Sequence, residues 1–301
     1  MIKPPYLQKG STIGIVATAR KIGWEEVEPA IRLLTEEGFM VRTGQRMFGS
    51  ENQFSGTDAD RAADMQRMLD DPEVNAILCA RGGYGTVRII DRLDFTLFEK
   101  HPKWICGYSD ATVLHAHING NFGICSIHST MPVNMREMTA DDTVFRSLID
   151  RLTGKPVSYE FDHHDLNRIG EAEGEVVGGN LSILYSILGS GSDIGTDGRI
   201  LLIEDLDEYL YHIDRMMMNL KRNGKLDRLK GLIVGGVSDM NDNEIPFGKT
   251  AREIIREAVE EYGYPVGFNF PAGHIGDNRA VILGKKATIR MSNGGSQFQS
   301  M

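Results

Sequence analysis

Short β-branched runs alternate with helix-period segments through the first half of this 301-residue chain, and that alternation constrains its fold more than any other feature. "TIGIVATA" (12–19) reads as a strand, and "WEEVEPAIRLLTEEGF" (24–39) carries apolar residues at helical spacing up to a stop at Gly38. "RAADMQRMLDD" (61–71) is a second amphipathic helix, and "NAILCARGGYG" (75–85) is a buried strand running into a glycine loop. "TVRIIDRL" (86–93) continues as helix, "KWICGYS" returns to strand, and "DATVLHAHI" (110–118) is helix again. Strand and helix in alternation predict an α/β domain, a mostly parallel sheet with helices on both faces.

The texture changes at residues 152–172, which are polar and broken by Gly and Pro. The expected division is a first domain over 1–160, a linker over 161–171 and a smaller α+β domain over 172–301. The second half offers the strand "RILLIED" (199–205), the helix "EYLYHIDRMMMNLKRNG" (208–224), the strand "GLIVGGV" (231–237), and strand-like runs "PVGFNF" and "AVILGKKATIRMS". No internal repeat or low-complexity tract interrupts it.

Charge narrows the partners. A formal net charge of -9, with no basic stripe, opposes nucleic acid and anionic membranes and favours a small substrate. The N-terminal "MIKPPYLQKGSTIGIVATAR" has too short an apolar stretch for a signal peptide or a membrane span, which places the chain in the cytosol. Three cysteines, Cys79, Cys106 and Cys125, show no close pairing, so they read as small buried side chains rather than disulfides or a metal knuckle.

Four motifs can carry chemistry. Ser109 falls where a strand ends and a helix begins, with Gly107 two before it and Ala111 two after. Small neighbours of this kind let a nucleophile sit exposed on a tight turn, although serine is also a good helix N-cap. "ARGGYG" (80–85) is a second strand-to-helix turn whose glycines could serve as a structural turn, an oxyanion hole or a phosphate loop. The missing Walker lysine and G-x-G-x-x-G spacing weaken the nucleotide option. Among eight histidines, His115 and His117 are two apart on a helix and face different ways, His163 and His164 lie in the linker, and His212 lies in the Met-rich helix. His274, in a glycine-flanked turn, is the one placed to reach a cleft. Glu204 ends an apolar strand and could orient that histidine; Asp205, Asp207 and Glu208 compete with it.

Taken together, "GYSDAT" around Ser109, "RGGYG" at 81–85, "GGNLSIL" at 178–184, "LIEDLDEYLYHIDRM" around Glu204 and "PAGHIGDN" around His274 resemble the LD-carboxypeptidase family. That family includes muramoyl-tetrapeptide carboxypeptidases and microcin-C self-immunity peptidases. The resemblance runs from "LQKGSTIGIVA" to the last strands. It implies a flavodoxin-like N-terminal domain, a smaller β-rich C-terminal domain with the site between them, and a homodimer. It also implies a serine peptidase that needs no cofactor or metal, with Ser109 as nucleophile, His274 as base and Glu204 as orienter. The backbone N–H groups of Gly83 and Asp110 would form the oxyanion hole. Arg81, beside the glycine loop, is a candidate for the substrate carboxylate, its alternative being a surface or packing arginine.

Two departures stand out. "SIHSTMP" (126–132) replaces the family's usual His-Gly-Pro turn, and "VATAR" (16–20) replaces its usual Pro-Ser after the first strand. Both bear on the substrate rather than the catalytic class. The expected substrate is a muropeptide tetrapeptide that loses its terminal D-alanine. The alternatives are a peptidyl or aminoacyl nucleotide conjugate and, outside enzymes, a flavodoxin-like ligand-binding protein.

Overall fold

The structure is a computed structural model that describes Met1–Ser300. The chain begins β1 (Thr12–Val16), α1 (Trp24–Glu36), β2 (Met40–Thr43), α2 (Asp58–Asp70), β3 (Val74–Cys79), α3 (Thr96–Lys100), β4 (Trp104–Gly107), α4 (Thr112–Phe122), β5 (Ser126–His128) and α5 (Thr143–Thr153). It continues β6 (Ser158–Phe161), β7 (Gly170–Asn180), α6 (Leu181–Ser186), β8 (Ile200–Leu206), α7 (Leu210–Arg222), β9 (Gly231–Ser238), α8 (Ala251–Ala258) and β10 (Val266–Gly267). Strands β11 (Val281–Leu283), β12 (Lys286–Ser292) and β13 (Gly295–Ser300) complete it.

The first sheet has six strands in the order β11-β5-β4-β3-β1-β2. Its five N-terminal strands are parallel and follow the flavodoxin order, with β11 added antiparallel at the edge. β1 is buried along its whole length because both faces are covered. Ile13 and Ile15 pack with Leu33 and Leu34 of α1 and Phe145 and Leu148 of α5; Val16 faces the other way, with Met65 and Met68 of α2. The order reverses beside β1, so β2 lies on one side of it and β3, β4 and β5 on the other. In such sheets the crevice at the carboxyl ends of the strands is where ligands bind.

The second sheet has seven strands in the order β10-β9-β8-β7-β12-β13-β6. β7 to β10 run parallel, and the remainder is an antiparallel meander. Three expected elements differ, and of "PVGFNF" (265–270) only Val266–Gly267 forms a strand. The helix at 86–93 is instead two 3-10 turns, Thr86–Arg88 and Ile90–Arg92, in which the Asp110 carboxylate takes the Thr86 N–H at 2.8 Å. The run at 280–292 breaks at Gly284, whose φ of +87 favours glycine. Its first piece joins the first sheet and its second piece the second sheet, so one segment ties the two sheets together. Strand β6, from before residue 161, likewise belongs to the second sheet.

A shared apolar core fastens the halves. Val113 and Leu114 of α4 belong to the same cluster as Val177, Leu181 and Ile213. A backbone bond crosses there too, from the Asn180 N–H to Thr112 Oγ1 at 3.0 Å. The carboxyl ends of β1, β3 and β4 thereby face those of β7 and β8 across a cleft.

Candidate active site

That cleft holds a cavity of about 560 Å³ lined by residues from both halves, among them Arg20, Gly82, Gly83, Tyr108, Ser109, Asp205 and His274. Ser109 follows β4 with φ of +60. Among the described residues, the four other non-glycine residues with positive φ are all Asn or Asp, which tolerate the left-handed region; serine does not favour it. Strain of this kind persists where surrounding packing dictates it. Here Gly107 and Ala111 are the small neighbours the turn needs: a Cβ at Gly107 would stand 3.0 Å from that of Ala111. The helix-cap alternative fails, because neither the 3-10 turn at Ser109–Ala111 nor α4 has a side-chain N-cap bond.

On the opposite wall, β8 delivers Glu204. The β8–β9 register shifts between Ile203 and Asp205, and this bulge re-aims the residue between them. Glu204 is fully buried, and its Oε2 accepts two bonds from His274, from Nδ1 at 2.7 Å and from the backbone N–H at 3.2 Å. Gly273 makes this approach possible, since a Cβ there would fall 2.5 Å from Glu204 Oε2 and its φ is +97. Asn278 steadies the turn by accepting the Gly273 N–H at 2.8 Å. The ring of Tyr108 packs on that of His274 with centroids 4.7 Å apart. Ser109 and His274 line the same cavity, and among the described residues no hydrogen bond joins the Ser109 hydroxyl to the His274 ring. Such bonds are often loose in unliganded sites.

A further residue emerges that sequence reasoning passed over. His128 ends β5, is fully buried, and sets its Nε2 3.9 Å from Glu204 Oε1. Both ring nitrogens and that carboxylate oxygen are otherwise without partners among the described residues. Burial alone raises the Glu204 carboxyl, but the two imidazoles, His128 and His274, more than offset it and hold the group down at about 2. Glu204 is therefore ionised at neutral pH. "SIHSTMP" marked the stretch as unusual, but nothing in sequence spacing points from residue 128 to residue 204.

The rival acids serve other ends. Asp205 accepts from Asn180 Nδ2 at 3.0 Å and from the Ser182 N–H at 2.8 Å, which locks the "GGNLS" turn; burial, and then Glu204, pushes its carboxyl up to about 7. Asp207 and Glu208 line the cavity mouth, and Glu208 pairs with His212 at 2.6 Å. His115 is buried against the Gly107 carbonyl at 2.9 Å, and burial holds its ring down at about 3. His117 faces Ser192 instead. The three cysteines are free and buried.

On the glycine loop, Gly82 faces Ser109: a Cβ there would lie 2.9 Å from Ser109 Oγ. The backbone N–H groups of Gly83 and Asp110 have no acceptor among the described residues. Arg81 reaches the cavity, yet its Nη1 is engaged by Glu26 at 3.0 Å.

Comparison with known proteins identifies the family. Residues 13–129 match the LD-carboxypeptidase N-terminal domain and residues 173–289 the LD-carboxypeptidase C-terminal domain. A probable murein peptide carboxypeptidase of Bacillus subtilis is 37% identical over 296 residues, covering 95% of this chain and 91% of that protein. The crystal structure of muramoyltetrapeptide carboxypeptidase from Oxalobacter formigenes superposes with a TM-score of 0.87 at 25% identity, over 96% of this chain and 98% of that one. The structure of MccF in complex with glutamyl sulfamoyl guanosine has the same fold, with a TM-score of 0.88 at 23% identity over 99% and 98% of the two chains. A strained serine facing a glycine loop and a buried Glu–His pair across an interdomain cleft thus sit on a chain that belongs to the LD-carboxypeptidase family.

Proposed function

We propose that this protein is a serine carboxypeptidase that removes terminal D-alanine from muropeptide tetrapeptides, with Ser109, Glu204 and His274 as its triad. The observation that carries this reading is the buried Glu204 carboxylate bonded at 2.7 Å to His274 Nδ1, beside a cavity that Ser109 enters at positive φ. With Nδ1–H committed to Glu204, the other ring nitrogen is left as the base. His274 takes the Ser109 proton as Oγ attacks the carbonyl before the terminal residue. The Gly83 and Asp110 N–H groups receive the oxyanion. His274 then protonates the departing amine, and water, deprotonated by the same ring, hydrolyses the acyl-enzyme and frees Ser109.

The test is D-alanine release from a muramyl tetrapeptide by wild type and Ser109→Ala. Turnover that survives chelator and vanishes with the serine hydroxyl supports the reading; turnover without Ser109 refutes it. The likeness in fold to MccF, seen with a sulfamoyl nucleotide, favours a second reading, cleavage of an aminoacyl nucleotide conjugate by the same triad. Hydrolysis of an aminoacyl-sulfamoyl adenosine, with tetrapeptide left intact, would select it. No helix among the described residues is long and apolar enough to cross a membrane. A cytosolic location and a homodimer belong to the proposal, and sedimentation velocity checks the latter.

A further inference from the structure

One cation in the cleft has no role in the chemistry so far. Arg20 follows the carboxyl end of β1, beside the point where the strand order reverses, and it lines the cavity. Its backbone is held on two sides, by a bridge to Phe54 and by its N–H reaching the Gly82 carbonyl at 3.5 Å. Its aliphatic stem lies across the glycine loop: a Cβ on Gly83 would stand 2.2 Å from Arg20 Cδ and 2.4 Å from Cγ. Gly82, one residue back, is the glycine that faces Ser109. The Arg20 side chain therefore covers the loop residue next to the one that meets Ser109, and it lines the same cavity.

Arg20 is also free to bind. Among the described residues no carboxylate lies within ion-pair distance of it, whereas Arg81, the other arginine in the cavity, is held by Glu26 and near the Lys21 carbonyl. Asp207 and Glu208 line the far wall. An anion entering the cleft is repelled from that wall and drawn to the Arg20 side. Arginine suits a carboxylate in particular, because its planar fork can donate two parallel bonds to it.

We infer that Arg20 binds the terminal carboxylate of the substrate's departing residue, and so makes this active site select chains that end one residue beyond the scissile bond. The inference rests on the carboxypeptidase reading above. It places the exopeptidase specificity on "VATAR", one of the two segments in which this chain departs from the family's usual sequence.

The experiment is isothermal calorimetry of a muramyl tetrapeptide and of its C-terminal amide. The proteins are Ser109→Ala, which binds without turnover, and the same protein carrying Arg20→Met or Arg20→Lys. The Ser109→Ala protein is expected to bind the acid about 100-fold more tightly than the amide. Arg20→Met is expected to reduce that ratio to within threefold by weakening only the acid, and Arg20→Lys to keep part of it. Amide affinity, unchanged across the set, shows that the variants remain folded. A ratio that survives Arg20→Met overturns the assignment, as does failure of the Ser109→Ala protein to bind the acid. D-alanine release by wild type is measured separately: its absence, with an Arg20-dependent ratio, sinks the peptidase reading and leaves the anchor standing.

Discussion

Replacing Glu204 by Gln keeps the shape of the buried side chain and removes its charge, which isolates what the carboxylate does for His274. In the wild type, Oε2 accepts the Nδ1 proton at 2.7 Å and the backbone N–H at 3.2 Å. A glutamine oxygen can keep both bonds. What it cannot keep is the attraction between a carboxylate and the imidazolium that, in the proposed mechanism, forms as Ser109 loses its proton. With charge centres about 4 Å apart and an effective dielectric near 20, that attraction is about 4 kcal/mol, or about a thousandfold in rate. Stopped assays of D-alanine release should therefore show kcat lower by about 10³ with KM changed by less than about threefold, since the lost attraction acts on charge that develops in the transition state. Asp205→Asn is the control, because Asp205 bonds to Asn180 and Ser182 rather than to the imidazole. A Glu204→Gln enzyme within tenfold of wild type, or an Asp205→Asn enzyme as slow as Glu204→Gln, would refute the assignment of the acid.

Three further expectations follow from the same geometry. Ser109→Gly should abolish turnover yet stabilise the protein by about 1 kcal/mol, because glycine accepts a φ of +60 at little cost; a lowered melting temperature would contradict the strain argument. Gly82→Ala places a Cβ 2.9 Å from Ser109 Oγ and should cost at least about 100-fold in kcat with near-native circular dichroism, whereas full activity would mean the loop does not border the nucleophile. His128→Leu removes one of the two imidazoles that hold Glu204 down. In wild type the depressed carboxyl, about 2 against an ordinary 4.5, contributes about 3 kcal/mol that is present above pH 4.5 and lost as pH falls toward 2. In the variant only His274 opposes burial, so the folded-state value rises and this acid-dependent contribution shrinks; an acid denaturation profile unchanged from wild type would show that His128 does not act on Glu204.

Much of this protein was legible before any coordinates. The alternation of β-branched runs with helix periods specified a parallel α/β sheet because a strand covered on both faces must be apolar throughout, as Ile13 to Val16 are. Gly107 and Ala111 around Ser109 marked a tight turn by residue size alone. The cleavage of 280–292 into strands of two different sheets was not legible, since its apolar pattern is continuous and only Gly284 hints at the break. Helices α5 and α8 went unread for the opposite reason: one lies just before the polar stretch taken as a domain crossing and the other in a charged stretch between clearer elements.

The site divides along the same line. Sequence determined which residues could react, because a serine between small neighbours and a glutamate closing an apolar strand are local features. Only the tertiary structure decided which of them meet. Residues 204 and 274 are joined by a carboxylate reaching into the space that Gly273 leaves, and residues 128 and 204 by two strands from different sheets ending at one cleft. The same holds for the two arginines. Arg81, next to the glycine loop in sequence, is held by Glu26, while Arg20, more than sixty residues away along the chain, lies across that loop. Charge and size are written in each residue, but partnership depends on distances that the packing of two sheets creates.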